Sequence, residues 1–130
     1  MSDDLLQAAR AARKKAHAPY SNFKVGAAVR GASGRVYCGC NVENAAYPEG
    51  LCAEASAIAA MVMAGESKIV EVLVLGISNE PVTPCGGCRQ KIREFAAPDA
   101  PIHIAGAEGV QMTLTLEALL PQSFGPDNLS

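Results

Sequence analysis

The sequence predicts one α/β domain in which helices cover a single mixed sheet. The chain has 130 residues, of which 49% are apolar and 18% charged; this length suits one domain, and this composition excludes disorder. Segments with helical apolar spacing and segments with strand-like patterns follow one another along the chain. The predicted order is helix, two strands, helix, strand, helix, two strands, helix, which is typical of a layered α/β fold. We therefore expect residues 1–130 to form a single domain.

The first half of the chain predicts a helix, a hairpin and a second helix. Ser2 or Asp3 caps the first helix, whose apolar stripe runs from Leu5 to Ala16. Strands over 25–29 and 35–42 flank a Gly-containing turn at 31–34, as in a hairpin. A loop over 43–50 follows. The second helix then begins near Cys52, and Gly65 can end it.

The second half predicts three strands and two helical segments. Residues 69–77 are rich in Val, Leu and Ile on both faces, with Glu71 as an exception, which favours a central strand covered on both sides. A third helix runs from Cys85 to about Ala96. Two shorter strands over 101–105 and 110–115 and a helical turn over 117–120 complete the chain.

Charge and hydropathy exclude several classes of partner. Lys and Arg number 11 against 13 Asp and Glu, for a net charge of −2. With no dominant basic run, a nucleic-acid partner is disfavoured, because phosphate backbones are bound mainly by cations. No apolar run reaches the roughly 18–20 residues that cross a bilayer, so no membrane partner is expected. The first four residues are acidic where a secretory signal would be basic, and we expect a cytoplasmic protein.

Two cysteine motifs carry the chemistry. Cys85 and Cys88 form a Cys-x-x-Cys, a spacing found in zinc sites and in redox pairs. Upstream, Cys52 and Glu54 open the preceding helix. Three thiolates would leave the fourth position of a zinc ion open to water, and Glu54 could take a proton from that water. Alternatively, Glu54 is only a favourable acid in a helix first turn, or the cysteines form a redox pair or a structural zinc module.

These motifs resemble the cytidine and deoxycytidylate deaminase family, whose zinc deaminases share a ligand-x-Glu followed by Pro-Cys-x-x-Cys. Cys52 in place of His resembles the three-cysteine branch, which includes small homotetrameric cytidine deaminases. The likeness extends over roughly nine tenths of the chain, and it includes residues 18–28 (APYSNFKVGAA), 39–44 (GCNVEN), Arg89-Gln90, Leu119-Leu120-Pro121 and Phe124.

The resemblance implies a fold and an activity. The fold would be a three-layer α/β/α cytidine-deaminase-like domain with a mixed five-stranded sheet. The activity would be zinc-dependent hydrolytic deamination of cytidine and 2′-deoxycytidine to the uridine products and ammonia, a hydrolase reaction of pyrimidine salvage. Zn²⁺ would be the cofactor. A homotetramer that shares its active sites between subunits is implied as well.

The resemblance also assigns roles to individual residues. Cys52, Cys85 and Cys88 would bind zinc, and Glu54 would be the catalytic proton shuttle. The substrate-binding residues would be Phe23 at the base, Asn41 and Glu43 at the ribose 3′-hydroxyl, Tyr47 and Phe124 at a neighbouring subunit's pocket, and Ala53. From the residues alone, Asn41 could equally be a turn residue and Phe23 a core residue.

Several alternatives are compatible with the sequence. Blasticidin-type deaminases have similar zinc motifs, but the Asn41–Glu43 pair favours a nucleoside. Editing deaminases that act on DNA or RNA are disfavoured by the net charge and by Cys52. We expect Cys38 and Cys40, which share one face of a strand, to be small buried residues, although either could be a fourth zinc ligand.

One position departs from the family pattern. Members often carry Arg directly after the catalytic Glu, where it bonds the ligand thiolates, whereas this chain has Ala55. Zinc with three thiolates carries a net charge of 2 − 3 = −1, which weakens its action on bound water. We expect helix N-terminal amides at Cys52 and Cys85, together with Arg89, to offset this charge.

Overall fold

The computed structural model describes residues 2–130, except for the side chain of Ser2. The helices and strands follow the order predicted from the sequence. They are α1 (Ser2–Arg13), β1 (Val25–Gly31), β2 (Val36–Cys40), α2 (Ala53–Met63), β3 (Ile69–Gly76), α3 (Gly86–Phe95), β4 (Pro101–Gly106), β5 (Gly109–Thr115) and α4 (Leu116–Leu119). Short 3₁₀ turns over Tyr47–Glu49 and Pro126–Asn128 were not predicted.

The five strands form one mixed sheet in the order β2-β1-β3-β4-β5. The β3–β4 pair is parallel, and the other three pairs are antiparallel. The parallel pair is joined through α3, as a crossover connection requires. This confirms the mixed five-stranded α/β sheet.

Two apolar layers hold the helices on opposite faces of the sheet. On one face, α2 and α3 pack through Ala57, Met61 and Ile92 onto strand residues such as Val72 and Ile102. On the other face, α1 packs alone and forms a second apolar cluster with the sheet, made of Leu5, Ala9, Ala28, Leu73, Leu75 and Ala105. The three-layer α/β/α arrangement leaves β3 covered on both sides, as its composition predicted.

Local sequence explains where the elements end. The acids Asp3 and Asp4 lie in the first turn of α1 and the bases Arg10 and Arg13 in its last turn, where each sign suits the helix dipole. The first helix ends at Arg13, three residues before the end of the predicted apolar stripe at Ala16. The second strand is also shorter than expected, because residues beyond Cys40 leave the ladder.

The exception at Glu71 has a structural explanation. Its carboxylate accepts a hydrogen bond from Arg30 Nε at 3.0 Å and pairs with His103 Nε2 at 2.6 Å. Burial disfavours the ionised Glu71, but the contacts with His103 and Arg30 outweigh it and keep its pKa below the ordinary range. A central strand can carry a charge here because both neighbouring strands supply a partner.

Within residues 2–130, the structure has no helix that is both long and apolar enough to span a membrane.

Candidate active site

The first turns of α2 and α3 meet at one cleft. Cys52 is the N-cap of α2 and Cys85 is the N-cap of α3, both with extended backbone. The cleft has a volume of about 170 Å³. Its lining consists of Val25, Asn41, Cys52, Ala53, Glu54, Val74, Val82, Thr83 and Cys85. Helix N-termini direct unpaired N–H groups and partial positive charge into this space, which favours thiolates.

The three predicted ligands come together as one cluster. The sulfur atoms of Cys52, Cys85 and Cys88 all lie within 4.8 Å of one another. Tetrahedral zinc with Zn–S bonds of roughly 2.3 Å needs sulfur atoms about 3.8 Å apart. The donor set therefore fits zinc after a small contraction. Three protein donors leave one coordination position for water, which is the pattern of a catalytic site.

The thiols differ in their surroundings. Burial raises the pKa of Cys52 and of Cys88, which is fully buried. The backbone N–H of Cys88 donates to the sulfur of Cys85 and lowers the pKa of that thiol. Hence an amide in the first turn of α3 already stabilises one thiolate.

Glu54 is the one buried carboxyl side chain among the described core residues, with 4% of its surface exposed. Burial raises its pKa above the ordinary range, against the weaker effects of hydrogen bonds with its own backbone N–H and with Cys88. It lies in the first turn of α2 and lines the same cleft as Cys52. A carboxyl group that is desolvated beside a potential metal-bound water is suited to accepting and returning a proton.

Arg89 supports the loop before Cys85 instead of the sulfur atoms. Its guanidinium donates to the carbonyl oxygens of Pro84 and Leu119 and to Oγ1 of Thr83. All three acceptors are oxygen atoms, so the expectation that Arg89 offsets thiolate charge finds no contact to support it within the described chain. Of the compensating groups expected from the sequence, the first-turn amides of α2 and α3 remain.

Asn41 and Glu43 both bind the loop that precedes β1. Asn41 accepts from the Val25 N–H at 2.9 Å and donates to the Phe23 carbonyl at 2.9 Å. Glu43 accepts from the backbone N–H groups of Tyr20 and Ser21 and from the Ser21 hydroxyl. Only Asn41 lines the cleft that contains Glu54; Glu43 lines a neighbouring groove of about 380 Å³ with Tyr20 and Tyr47.

The three predicted aromatic residues are all on the surface of the single chain. Phe23 is 38% exposed, Tyr47 75% and Phe124 59%. Phe23 is therefore not a core residue. Tyr47 meets Tyr20 edge-to-face, with ring centroids 5.8 Å apart. The remaining substrate-binding candidate, Ala53, is buried in the cleft wall.

The expectation of buried side chains at Cys38 and Cys40 is wrong. Cys38 is exposed and Cys40 is partly exposed. Both lie on β2, an edge strand, on the face opposite Gly39, which packs against α2. Only one helix, α1, covers that face of the sheet, and it leaves the side chains of the edge strand β2 partly exposed to solvent. Among the described residues, the potential metal cluster includes neither cysteine, so the two do not close the site.

Thr83 and Val82 were missed by the sequence reasoning although both line the cleft. They lie in the loop between β3 and the Pro84-Cys85 dipeptide. Their position in the sequence could have identified them, because a residue two positions before an N-cap cysteine, such as Thr83, must lie near the cluster.

Comparison with known proteins agrees with this geometry. Residues 1–104 match the family model described as the cytidine and deoxycytidylate deaminase zinc-binding region. A cytidine deaminase from Sporosarcina psychrophila is 38% identical over 128 residues, covering 98% of this chain and 94% of that protein. A second, from Halalkalibacterium halodurans, is 35% identical over 126 residues, covering 97% of this chain and 96% of that protein.

Solved structures show the same fold. The crystal structure of cytidine deaminase from Burkholderia pseudomallei has a TM-score of 0.89 at 40% identity, covering 95% of this chain and 99% of that one. The enzyme from Mycobacterium tuberculosis has a TM-score of 0.80 at 34% identity, with coverage of 94% and 95%. With its sequence matched over nearly full length and its fold matched at high similarity, the chain belongs to the cytidine and deoxycytidylate deaminase family.

Proposed function

We propose that this protein is a zinc-dependent hydrolase that deaminates cytidine and 2′-deoxycytidine to uridine and 2′-deoxyuridine with release of ammonia. The observation that carries the proposal is the cluster of three cysteine sulfur atoms within 4.8 Å beside a buried glutamate. Cys52, Cys85 and Cys88 would hold the zinc ion. When bound, zinc acts as a Lewis acid that makes a water molecule a nucleophile near neutral pH.

Glu54 would carry every proton of the reaction. Its carboxylate takes a proton from the attacking water and gives it to N3 of the pyrimidine as the C4–O bond forms. It then takes the second proton of that oxygen and passes it to the amino nitrogen, so that the C4–N bond breaks and ammonia leaves. One carboxylate serves each step because it returns to its ionised form each time. Burial supports this role, because it raises the pKa of Glu54 toward neutral pH, where the enzyme would operate.

Binding of the nucleoside would use the residues around the cleft. We propose that Asn41 and Glu43 receive the ribose 3′-hydroxyl, while Phe23 and Ala53 contact the base. Support comes from Asn41 and Ala53, which line the cleft with Glu54. Glu43 already holds the loop at Tyr20 and Ser21, so that it would shape the ribose site as well as bind to it.

The active assembly would be a homotetramer with shared sites. Tyr47 and Phe124 would each reach a neighbouring subunit's pocket. Their exposure supports the proposal, because large apolar surfaces on a single chain are typical of interfaces. Met63 and Leu129 are the most exposed large apolar residues of the described chain, at 89% and 80%.

We place the reaction in pyrimidine salvage in the cytoplasm, with a small nucleoside and no nucleic acid as substrate. All five cysteines are free thiols, as a reducing compartment and a thiolate site require. The net charge of −2 gives little attraction to a polynucleotide.

The test is the loss of cytidine absorbance with purified protein, with Glu54→Gln as the matched variant. We expect rapid loss that falls about 10²–10⁴-fold in the variant, while zinc content and thermal unfolding stay unchanged. If zinc is bound at one per chain but cytidine is stable, the substrate assignment is wrong, and other amino-bearing heterocycles such as blasticidin-type nucleosides become the substrates to assay. Full activity in Glu54→Gln would remove the proton shuttle from the mechanism.

A further inference from the structure

A second groove lies on the opposite face of the sheet from the cysteine cluster. It has a volume of about 330 Å³ and lies between α1 and the carboxyl ends of the parallel strands β3 and β4. We call it the basic groove. Its lining residues are Gln7, Arg10, Ala11, Arg13, Lys14, Leu75, Ile77, Gly106 and Ala107. The carboxyl ends of parallel strands are a common place for ligand binding in α/β sheets.

The groove lies in the most positively charged part of the sequence. Residues 5–42 contain seven of the eleven Lys and Arg and none of the thirteen Asp and Glu. Arg30, one of these seven, is paired with Asp4 and Glu71. The groove collects three others, Arg10, Arg13 and Lys14, and its lining contains no carboxylate. Positive charge is therefore concentrated there although the chain as a whole is slightly negative.

These cations are not neutralised, and one of them, Arg13, is fixed by a hydrogen bond. Arg13 donates through Nε to the carbonyl of Lys24 at 3.0 Å, which fixes its guanidinium and leaves its terminal nitrogens unoccupied in the described chain. Arg10 is half-buried, and neither it nor Lys14 has an ion pair or side-chain hydrogen bond among residues 2–130. Glu108, in the adjacent β4–β5 turn, forms no ion pair with them within that range. The helix dipole favours cations near the end of α1 but does not explain their convergence on one concave surface.

The other wall of the groove is apolar. Ile77 is 47% exposed and lies just beyond β3, next to the buried Leu75. Ala107 continues this wall from β4. A groove with guanidinium and ammonium groups on one side and aliphatic carbons on the other matches a ligand with an anionic group and a flat, weakly polar part.

We propose that the basic groove binds a phosphate-bearing small organic molecule of nucleotide size, at a site separate from the cysteine cluster. Arg10 and Arg13 bind the phosphate oxygens by charge-assisted hydrogen bonds, and Lys14 adds a point charge. The organic part rests on Ile77. This proposal does not depend on the deaminase activity, since no residue of the cleft is involved.

The experiment is isothermal titration calorimetry on the zinc-loaded full chain at low ionic strength, with ATP, pyrophosphate and adenosine as probes. ATP is chosen because its purine base is not the proposed substrate. The variants are Arg10→Gln and Lys15→Gln. Lys15 is the matched control: it is an exposed cation from the same end of α1 that does not line the groove.

We expect saturable binding of ATP, weaker binding of pyrophosphate and no binding of adenosine alone. Arg10→Gln should weaken ATP binding about tenfold, as loss of one charge-assisted contact implies, while Lys15→Gln should change it by less than about twofold. Equal weakening by both variants would show diffuse attraction to a basic surface and would overturn the site. The absence of saturable ATP binding would also overturn the proposed site. Pyrophosphate binding as tight as that of ATP would overturn it too, because the organic part of the ligand would then contribute nothing.

Discussion

The side chain of Arg89 joins Leu119, near the end of the chain, to the loop that carries a metal-ligand candidate. Its Nη1 donates to the Leu119 carbonyl at 2.8 Å, and its Nε donates to the Pro84 carbonyl at 2.7 Å. Cys85 follows Pro84 directly. One guanidinium therefore fixes α4 and the cysteine loop relative to each other.

Replacement of Arg89 should weaken the fold and the cysteine cluster together. Arg89→Ala removes three hydrogen bonds from a half-buried cation, and we expect a loss of about 3 kcal/mol in the free energy of unfolding. Arg89→Lys keeps the charge but at most one of these bonds, and should lose about 2 kcal/mol. Urea unfolding measures both values. Zinc release to a chelator should be faster in each variant, because the Cys85 loop is less constrained.

Lys15→Ala is a suitable control for general charge effects, because Lys15 is exposed and lies outside these contacts. If Arg89→Lys matched the parent protein in both unfolding and zinc release, the charge of Arg89 and not its geometry would be its contribution.

Glu66 should make stability depend on pH. Its carboxylate accepts from the backbone N–H of Ser33 at 3.1 Å, from the Ser33 hydroxyl at 2.6 Å and from the Tyr37 hydroxyl. These bonds to Ser33 and then to Tyr37 hold the pKa of Glu66 below its ordinary value of 4.5. A lowered carboxyl pKa adds stability above the unfolded-state pKa, and this contribution is lost as the pH falls through the folded-state pKa.

We expect Glu66→Gln to lower the urea midpoint at pH 7 and to have progressively less effect as the medium is acidified below about pH 4. Glu94→Gln is the matched control, because Glu94 is exposed on α3 and has no hydrogen bond or ion pair within residues 2–130. A deficit in Glu66→Gln that stays constant over the whole pH range would contradict the linkage.

The elements of the fold could be predicted because each follows a local pattern. The apolar run of β3 and the turn at Gly34, which has a φ of 94°, are both visible in the sequence. The cysteine cluster could also be predicted from the sequence. The Cys-x-x-Cys and Cys-x-Glu motifs place their ligands at the starts of helices, whatever the positions of those helices in the fold. Here local chemistry and tertiary structure agree.

What could not be predicted depends on neighbours in space. Cys38 looked buried because free cysteines usually are, but exposure is decided by the edge position of its strand. Arg89 looked like a counter-charge for thiolates, and its carbonyl partner Leu119 lies 30 residues away. Glu43 likewise contacts a loop more than 20 residues upstream. The local sequence around a residue does not indicate which distant residue its side chain will contact.

Gly125 should control the position of Phe124. A Cβ at Gly125 would lie 2.3 Å from Arg93 Cζ, and Arg93 binds Ser123 and Asp127 on either side of it. Gly125→Ala must displace the guanidinium and loosen the C-terminal segment on α3, where the bond from Gln90 to the Phe124 carbonyl remains. Because Asp127 is largely exposed, the loss of unfolding free energy should stay below about 1 kcal/mol.

We expect faster amide hydrogen exchange over residues 121–130 in Gly125→Ala and, if Phe124 completes a neighbouring pocket, a higher KM for cytidine with little change in kcat. Ser130→Ala is the control, since Ser130 bonds the same segment without touching Arg93. Faster exchange with an unchanged KM would show that Phe124 does not contact the substrate.

Thiol reactivity should separate the five cysteines into two groups. Cys38 and Cys40 lie outside the potential metal cluster and keep exposed surface, whereas the other three sulfur atoms converge. In the zinc-loaded protein, a thiol reagent should therefore modify only Cys38 and Cys40, because coordinated thiolates react slowly. A chelator should make the remaining three cysteines reactive and lower the melting temperature, since the clustered sulfur atoms at two helix ends lose the ion that holds them. The control is the Cys38→Ser/Cys40→Ser variant, which should not react with the reagent until chelator is added. If its three remaining thiols react at full rate before chelation, the predicted cluster does not hold the metal.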